Sequence, residues 1–582
     1  MTVDDLQNIR HSAAHLLAAA VKQVWPGAKN AIGPAIDTGF YQDFDMGDVK
    51  VSEDDLGKIE DKMREILKSW GPFVVQEVTV DQARQDFADN PYKLELINDF
   101  GQEGKTITEN NPGNFLDLCK GGHADDPQKQ LRHFKLLSIA GAYWRGDETK
   151  KMLTRIYGTC FPTKNELQQY LHMLAEARQR DHKKLGVDLD LFTFSSLVGP
   201  GLPLWTPKGT VLRHELDNYV WELRQKQGYQ RVEIPHITKK DLYITSGHWD
   251  KYQNDLFKIT TREGHEFAMK PMNCPHHTQI YARRQWSYRE LPQRYANTTT
   301  CYRDEQSGEL AGLSRVRSFT QDDAHVFCRI DQVKEEVQTI WTIVHQFYAT
   351  FGLAIRLRLS LRDPQHPENY LGNQAHWDKA EAVLREIAQS NQTAYVEALG
   401  EAAFYAPKLD FMAKDSLGRE WQVATIQLDV NMPDRFDLTC IGEDSKKERI
   451  VMIHAAIMGS IDRFLSIIIE HFAGAFPAWL APIQVQLLPV GENHVAHCQQ
   501  LAGSFTDAGL RIELDDANET IGNKVRKAAQ QHVPYIVVVG DKEIAQGQLA
   551  VRLRGSKETK LYSVDEFLRY VQDNVARRLL TV

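Results

Sequence analysis

The pattern of apolar and polar positions divides the chain into four stretches. Up to residue 158, helix-spaced apolar positions at 12–25 and 53–69 alternate with strand-like pieces punctuated by Gly and Pro, which predicts an α+β domain. Residues 159–187 contain Thr163-Lys164-Asn165-Glu166, a capping box whose hydroxyl and carboxylate satisfy the free amides of a helix start. The helix it opens, to about residue 184, is highly charged and reads as a bridge between domains. Within 188–478, a helix is predicted at 210–227, and the apolar stretch 450–476 reads as one buried helix. Asp462, Arg463 and Glu470 interrupt that stretch and argue against a membrane span. From 481 to 582, strand-like runs at 483–490, 511–514, 535–539 and 549–553 alternate with helices, the last starting at Ser563. That alternation predicts a small α/β domain with a mixed sheet.

Composition narrows this picture only slightly. A chain of 582 residues, 42% hydrophobic and 25% charged, can bury several cores; length alone suggests about three or four domains. A net charge of −9 excludes a generally basic nucleic-acid coat, so contact with RNA would rest on local basic patches, and no DNA partner is expected. The seven cysteines never form a CxxC pair, which suits a reducing compartment and disfavours a disulfide framework or zinc ribbon. Asp4 and Asp5, followed by a short run broken by His15 and Lys22, make a poor secretory signal, so a cytoplasmic protein without a membrane anchor is expected.

Candidate chemistry concentrates between Arg303 and Phe327. Arg303, Arg315 and Arg317 flank a polar, Gly-containing connection, and a strand-like run then delivers Asp322, Asp323 and His325 to one place. Guanidinium forks match phosphate oxygens two bonds at a time, and Phe319 can stack on a base, so the combination suits a nucleoside triphosphate. Any single arginine here would pass for a solvated surface charge.

His11 and His15, spaced i, i+4, share one helix face, and Cys119 and His123 form a CxxxH. Taken alone, these four propose a zinc hydrolase, or else a wet helix face carrying two polar residues. Cys274, His325 and His454 are far apart, and spacing alone does not make them a metal site. Gly104-Lys105-Thr106 is no phosphate-binding P-loop, because position 99, where the first glycine belongs, is Asp.

The run from Arg315 to His325 (Arg-Val-Arg-Ser-Phe-Thr-Gln-Asp-Asp-Ala-His) resembles motif 2 of class II aminoacyl-tRNA synthetases, the threonyl family in particular. Gly199-Pro200-Gly201-Leu202-Pro203-Leu204-Trp205, followed by the helical stretch and Pro235, is similar to motif 1, the dimer-forming element. Gly459-Ser460-Ile461-Asp462-Arg463-Phe464 is similar to motif 3. The resemblance implies an α+β editing domain at 1–158, a helical linker at 159–187 and a class II antiparallel-sheet catalytic domain at 188–478. An α/β anticodon-binding domain would occupy 481–582.

The implied activity is ATP-dependent formation of threonyl-adenylate, transfer to tRNA(Thr) and hydrolysis of mischarged seryl-tRNA, by a homodimer using Mg²⁺ with ATP. Carried over residue by residue, Arg303, Gln321, Asp323 and Arg463 are catalytic. ATP contacts fall to Arg303, Arg315, Phe319, Gln422, Thr425 and Arg463, and the substrate pocket to Tyr405, Lys408, Gln427 and Ser460. Cys274, His325 and His454 would hold one Zn²⁺ with open positions. Such a metal separates threonine from valine by its hydroxyl, where an apolar pocket gains only about 1–3 kcal/mol. Serine also has a hydroxyl and calls for hydrolytic editing, which falls to His11, His15, Lys93, Asp117, Cys119 and His123, with no metal required. Asn518, Glu543 and Arg552 fall where the family reads anticodon bases.

Several positions depart from the family pattern. The HxxxH begins at residue 11, so the small ubiquitin-like domain common at the start of the family is expected to be absent. Asn297-Thr298-Thr299-Thr300, Ala311, His276, Ala406, Ala455, Gln42 and Ala517 replace more usual residues. The motif arginines and the three presumed metal ligands are intact, which predicts an active, divergent enzyme. A noncatalytic synthetase-like regulator would be expected to have lost them, and a free-standing editing hydrolase would leave most of the chain unexplained.

Overall fold

The computed structural model describes residues 3–415 and 418–581. Its contacts divide the chain into two compact units, Met1–Ala175 and Glu176–Val582.

The first unit is built on the helix Val3–Val24, which starts well before the predicted residue 12. Asp4 and Asp5 sit in its first turn, where carboxylates complement the positive end of the helix dipole. Ile9, Ala13, Leu16, Leu17 and Ala20 are fully buried in one core with Ile59 and Met63 of the helix Leu56–Leu67. These helices pack on an antiparallel sheet ordered Lys29–Asn30, Gly39–Asp45, Met152–Phe161, His133–Tyr143, with Ala35–Ile36 also paired to Gly39–Asp45. A second, three-stranded sheet joins Val74–Val78, Ile107–Asn111 and Asp117–Leu118. The strand Met152–Phe161 runs past residue 158, so the expected edge of the first block lies inside a strand.

The capping box forms as predicted, with Thr163 Oγ1 accepting from Glu166 N at 3.2 Å and Glu166 Oε2 accepting from Thr163 N at 3.0 Å. The helix it opens does not reach 184. It spans Lys164–Arg180, and a second helix, His182–Asp188, follows. Asp181 is extended at φ −51°, ψ 120° and caps the second helix by accepting from Lys183 N, which is a new start rather than a continuation. The division between the two units falls inside Lys164–Arg180.

The second unit centres on an eight-stranded sheet ordered Gln230–Arg231, Gln293–Tyr302, Ser318–Cys328, Val451–Ala456, Glu420–Asp429, Lys408–Lys414, Ile355–Leu361, Tyr395–Leu399. Every inner pairing is antiparallel, and only the two outermost pairs are parallel. The helices Pro207–Gln225, Val333–Thr350, Gln374–Ser390 and Ile461–His471 share one apolar core with it.

The stretch 450–476 is not one helix. Val451–Ala456 is a central strand, a turn with Gly459 at φ +64° follows, and only Ile461–His471 is helical. A strand buried on both faces is apolar without interruption, so periodicity cannot separate it from a buried helix.

The last segment folds as predicted, around a mixed sheet ordered Ile512–Leu514, Val485–Pro489, Tyr535–Val539, Gln548–Leu553, Thr559–Ser563. The first three strands are parallel and the last two antiparallel. Two elements there escaped the sequence reading: the edge strand Thr559–Ser563, whose only apolar side chains are the exposed Leu561 and the partly buried Tyr562, and the short helix Asp541–Gln546. No helix among the described residues is long and apolar enough to cross a membrane.

Candidate active site

Strand register assembles the site. Alternation along Ser318–Cys328 puts Gln321, Asp323 and His325 on one face. His325 lies opposite His454, and His454 lies opposite Gln427 on the next strand, so three strands deliver side chains to one row. Above this face opens a cavity of about 410 Å³. Its walls carry Cys274, Arg303, Gln321, Asp323, His325, Tyr405, Lys408, Gln422, Thr425, Gln427, His454, Ser460 and Arg463. Nearly the whole predicted active-site set therefore converges, although the residues come from segments far apart in sequence. Tyr252, Met272 and Phe404, which the sequence reading passed over, complete the apolar wall.

One end of the cavity is arginine-rich. Burial lowers the pKa of the Arg463 guanidinium, and the like charges of Arg303 and Arg315 lower it further. Arg463, buried beside two like charges, favours a polyanion at this end of the cavity. Ser460 caps the helix Ile461–His471 by accepting from Arg463 N at 3.2 Å, and Arg463 Nε donates to Ser314 O at 2.9 Å. Arg303 lies over the Phe319 ring, 5.1 Å from its centroid. Phe319 and Arg315 are not part of the cavity wall. Arg315 is half-exposed and donates to Glu305 and Glu309 on the hairpin connection.

Asp410, fully buried, organises the opposite wall. It accepts from Ser360 Oγ at 2.7 Å, Gln422 Nε2 at 2.8 Å and Thr425 Oγ1 at 2.9 Å, and pairs with Lys408 Nζ at 3.1 Å. Tyr405 OH donates to Gln427 Oε1 at 2.7 Å. Asn273 Nδ2 donates to Asp323 Oδ2 at 3.1 Å. Burial pushes the Asp323 carboxyl up to about 6, against the opposing pull of His454. A cationic partner in the cavity would return it to the carboxylate form.

Cys274, His325 and His454 are all buried, and their ligand atoms lie within 4.8 Å of one another. Asp429 Oδ2 receives His454 Nε2 at 2.9 Å, which leaves the lone pair of His454 Nδ1 facing His325 Nε2 at 3.1 Å. His277 Nδ1 meets the other nitrogen of His325 at 2.8 Å. Burial, then His277 and His454, hold His325 well below its ordinary pKa and therefore neutral, the form that ligates. Burial raises the Cys274 thiol, with Asp323 and Asp429 adding to it. A dication is what would deprotonate a thiol so placed. Outer nitrogens held by neighbours and inner donors converging is the arrangement of a metal site, and this donor set fits one. Asp429 and His277 were missed, yet both leave a trace in sequence: Asp429 follows Gln427 by two on one strand, and His277 follows Cys274 by one helical turn.

A second constellation forms in the first unit. Cys119 Sγ lies 3.2 Å from His11 Nε2 and 3.4 Å from His123 Nε2, and His15 Nδ1 meets Asp117 Oδ2 at 3.1 Å. Lys93 Nζ pairs with Asp117 Oδ1 at 2.6 Å. All but His123 border a cavity of about 470 Å³. Burial opposes both charges of the central pair, but the hydrogen bonds prevail. Contacts from His11, His123 and His15 bring the Cys119 thiol down to about 3, and Asp117 with Cys119 raises His15 to about 9.

The three residues predicted to read anticodon bases all lie in the last segment. Asn518 is exposed, Glu543 Oε2 accepts from Gly540 N at 2.9 Å, and Arg552 Nε donates to Ser556 O at 2.8 Å. No hydrogen bond or ion pair joins the three among the described residues.

Residues 257–472 match the tRNA synthetase class II core domain (G, H, P, S and T), and residues 484–574 match the anticodon binding domain. With the antiparallel sheet and its arginine-rich cavity, these matches define a class II aminoacyl-tRNA synthetase. A prolyl-tRNA synthetase of Giardia lamblia, solved with prolyl-adenylate, shares the fold at TM-score 0.54 and 17% identity over 70% of this chain and 80% of its own.

Within that class the relatives are threonine–tRNA ligases. That of Cytophaga hutchinsonii is 46% identical over 98% of this chain and 88% of its own length, and that of Thermotoga maritima 45% over the same shares. The solved RNA binding domain of threonyl-tRNA synthetase from Cryptosporidium parvum Iowa II superposes at TM-score 0.65 and 34% identity, over 68% of this chain and 98% of its own. The chain belongs to the threonine–tRNA ligase family.

Proposed function

We propose that the cavity of the eight-stranded sheet activates L-threonine with ATP for transfer to tRNA(Thr), and that the first unit hydrolyses mischarged seryl-tRNA. Threonine charging of tRNA is the reaction of the family to which the chain belongs. The convergence of Arg303, Gln321, Asp323 and Arg463 on one cavity carries the reading of individual roles.

In the activation step a threonine carboxylate oxygen attacks the α-phosphorus of ATP, and pyrophosphate leaves. No protein nucleophile is needed, and the protein contributes positioning and neutralisation of developing charge. Asp323 accepts a hydrogen bond from the substrate amino group, Arg303 and Gln321 hold the carboxylate and α-phosphate, and Arg463 with Arg315 takes the distal phosphates. Phe319 stacks on the base. Gln422, Thr425 and Lys408, tied to Asp410, and Tyr405 with Gln427 shape the remaining walls. Mg²⁺ enters with ATP.

Cys274, His325 and His454 would hold a zinc ion. When bound, such an ion offers open positions to the amino and hydroxyl groups of threonine, which valine cannot fill. In the first unit, His11, His15, Lys93, Asp117, Cys119 and His123 position the seryl ester and water. Asn518, Glu543 and Arg552 contact the anticodon. Phe194, Leu197 and Val198 just before the motif 1 segment and Leu204 within it are exposed, Leu197 at 97%, which supports a homodimer formed through this part of the chain.

Amino-acid-dependent exchange of labelled pyrophosphate into ATP tests the first half. Exchange with threonine, less with serine, none with valine, and loss after removal of the metal are expected. Absence of exchange from folded, metal-loaded protein would overturn the assignment of these residues. Deacylation of seryl-tRNA(Thr), abolished in Cys119→Ala with exchange preserved, tests the second half.

A further inference from the structure

The constellation in the first unit has the makings of a metal site as well as a hydrolytic one. The ligand atoms of His11, His15, Cys119 and His123 all lie within 4.8 Å of one another. A tetrahedral zinc ion, with bonds of about 2.0–2.3 Å, needs its ligands about 3.3–3.8 Å apart, so a contraction of roughly 1 Å at the longest edge suffices. The two contacts of Cys119 Sγ, at 3.2 and 3.4 Å, already lie at the short end of that range.

The outer atoms of the rings are held as metal ligands require. His11 Nδ1 meets Gly122 O at 3.1 Å, and His15 Nδ1 meets Asp117 Oδ2 at 3.1 Å. Both acceptors take an N–H from Nδ1, which turns each Nε2 inward, where a cation would replace the proton that Nε2 carries in its absence. His15 Nε2 is buried and has no hydrogen-bond partner of its own. His123 is fixed by parallel stacking on Phe73, with centroids 4.1 Å apart.

We propose that these four side chains bind one divalent cation of zinc type in a closed, four-coordinate site, and that its occupancy switches hydrolysis off. Three ligands with an open position make a substrate-binding or catalytic metal, but four protein ligands leave no position for water or ester. Cation binding would also occupy the thiol and every imidazole that hydrolysis is assigned. One sulfur donor among three imidazoles suits a borderline-soft cation of zinc type. The binding claim stands on geometry alone, whereas the inhibitory claim rests on the hydrolytic reading of this site.

Full-length protein whose Cys274 site is already loaded with Zn²⁺ is titrated with Co²⁺ and, separately, with Zn²⁺. Wild type should take up a second ion, with a sulfur-to-cobalt charge-transfer band, and Cys119→Ser and His123→Ala should not. Seryl-tRNA hydrolysis should fall at least about tenfold as the second site fills, while pyrophosphate exchange stays unchanged. One ion per wild-type chain, or a second ion retained in both variants, would overturn the site. A second ion that accelerates hydrolysis would overturn the inhibitory role. A second ion bound by protein that hydrolyses no seryl-tRNA at any metal level would support the site while sinking the hydrolytic reading, so the two failures are separable.

Discussion

At the scale of residues, the side chains that bear the chemistry depend on neighbours that touch no substrate. Asp429 is one: it is fully buried, its Oδ2 faces His454 Nε2, and its Oδ1 caps the following turn by accepting from Asn431 N and Met432 N. Asp429→Asn keeps the capping oxygen and removes the charge behind His454. Metal affinity at the Cys274 site should fall about 10–100-fold, read by competition with a chromophoric chelator, with the melting temperature little changed.

Cys119 supports a second prediction. Its thiol, brought down to about 3 against its own burial by hydrogen bonds from His11 and His123 and by the nearby charge of His15, is a thiolate throughout the neutral range. An ordinary thiol gains about tenfold in alkylation rate per pH unit up to about 8.5. In metal-free protein the rate at Cys119 should instead be flat from about pH 4.5 to 8, as read by mass spectrometry of iodoacetamide-treated chain. A profile still rising through pH 7 would refute the ion pair. Sequence pointed to the candidate ligands only where a motif or its resemblance marked them. His277, Asp410 and Asp429 act through contacts made across strands or one helical turn, and those contacts exist only once register is fixed.

At the scale of elements, the short helix His182–Asp188 has a role beyond connection. His182 is buried, its Nδ1 bonds Glu470 Oε1 at 2.7 Å, and its Nε2 accepts from Leu313 N at 3.0 Å. One imidazole thus ties the helix Ile461–His471 to the hairpin connection that carries Arg315. Gly312 passes so close that a Cβ there would lie 2.3 Å from His182 Nε2. A hydrogen bond of this kind is worth about 0.5–1.5 kcal/mol net, so His182→Ala should raise KM for ATP by up to about tenfold while KM for threonine moves less than about twofold. Equal loss in both would mean general unfolding rather than a misplaced hairpin.

The break at Asp181 that creates this helix was not legible in a continuous run of charged, helix-favouring residues. Nor was the strand Val451–Ala456, because burial on both faces erases the alternation that marks a strand. The capping box, the first helix from residue 12 onward and the C-terminal alternation were legible because each writes its own local signal.

At the scale of the molecule, the division into Met1–Ala175 and Glu176–Val582 separates the thiol–histidine cavity from the arginine-rich one. Each cavity is lined entirely from its own side of that division, and each unit has its own apolar core. Neither site therefore borrows a side chain from the other. A chain begun at Thr163, which keeps the capping box and the whole helix Lys164–Arg180, should fold and retain threonine-dependent pyrophosphate exchange within about threefold of the full chain. It should lose hydrolysis of seryl-tRNA and accumulate that product when serine is supplied. A binding pocket that already accepts the threonine hydroxyl cannot reject serine strongly by lacking one methyl group, worth only about 1–3 kcal/mol. Serylated tRNA that accumulates only after the first unit is removed would locate proofreading there. Exchange that fails together with hydrolysis would show instead that the two cores are not independent.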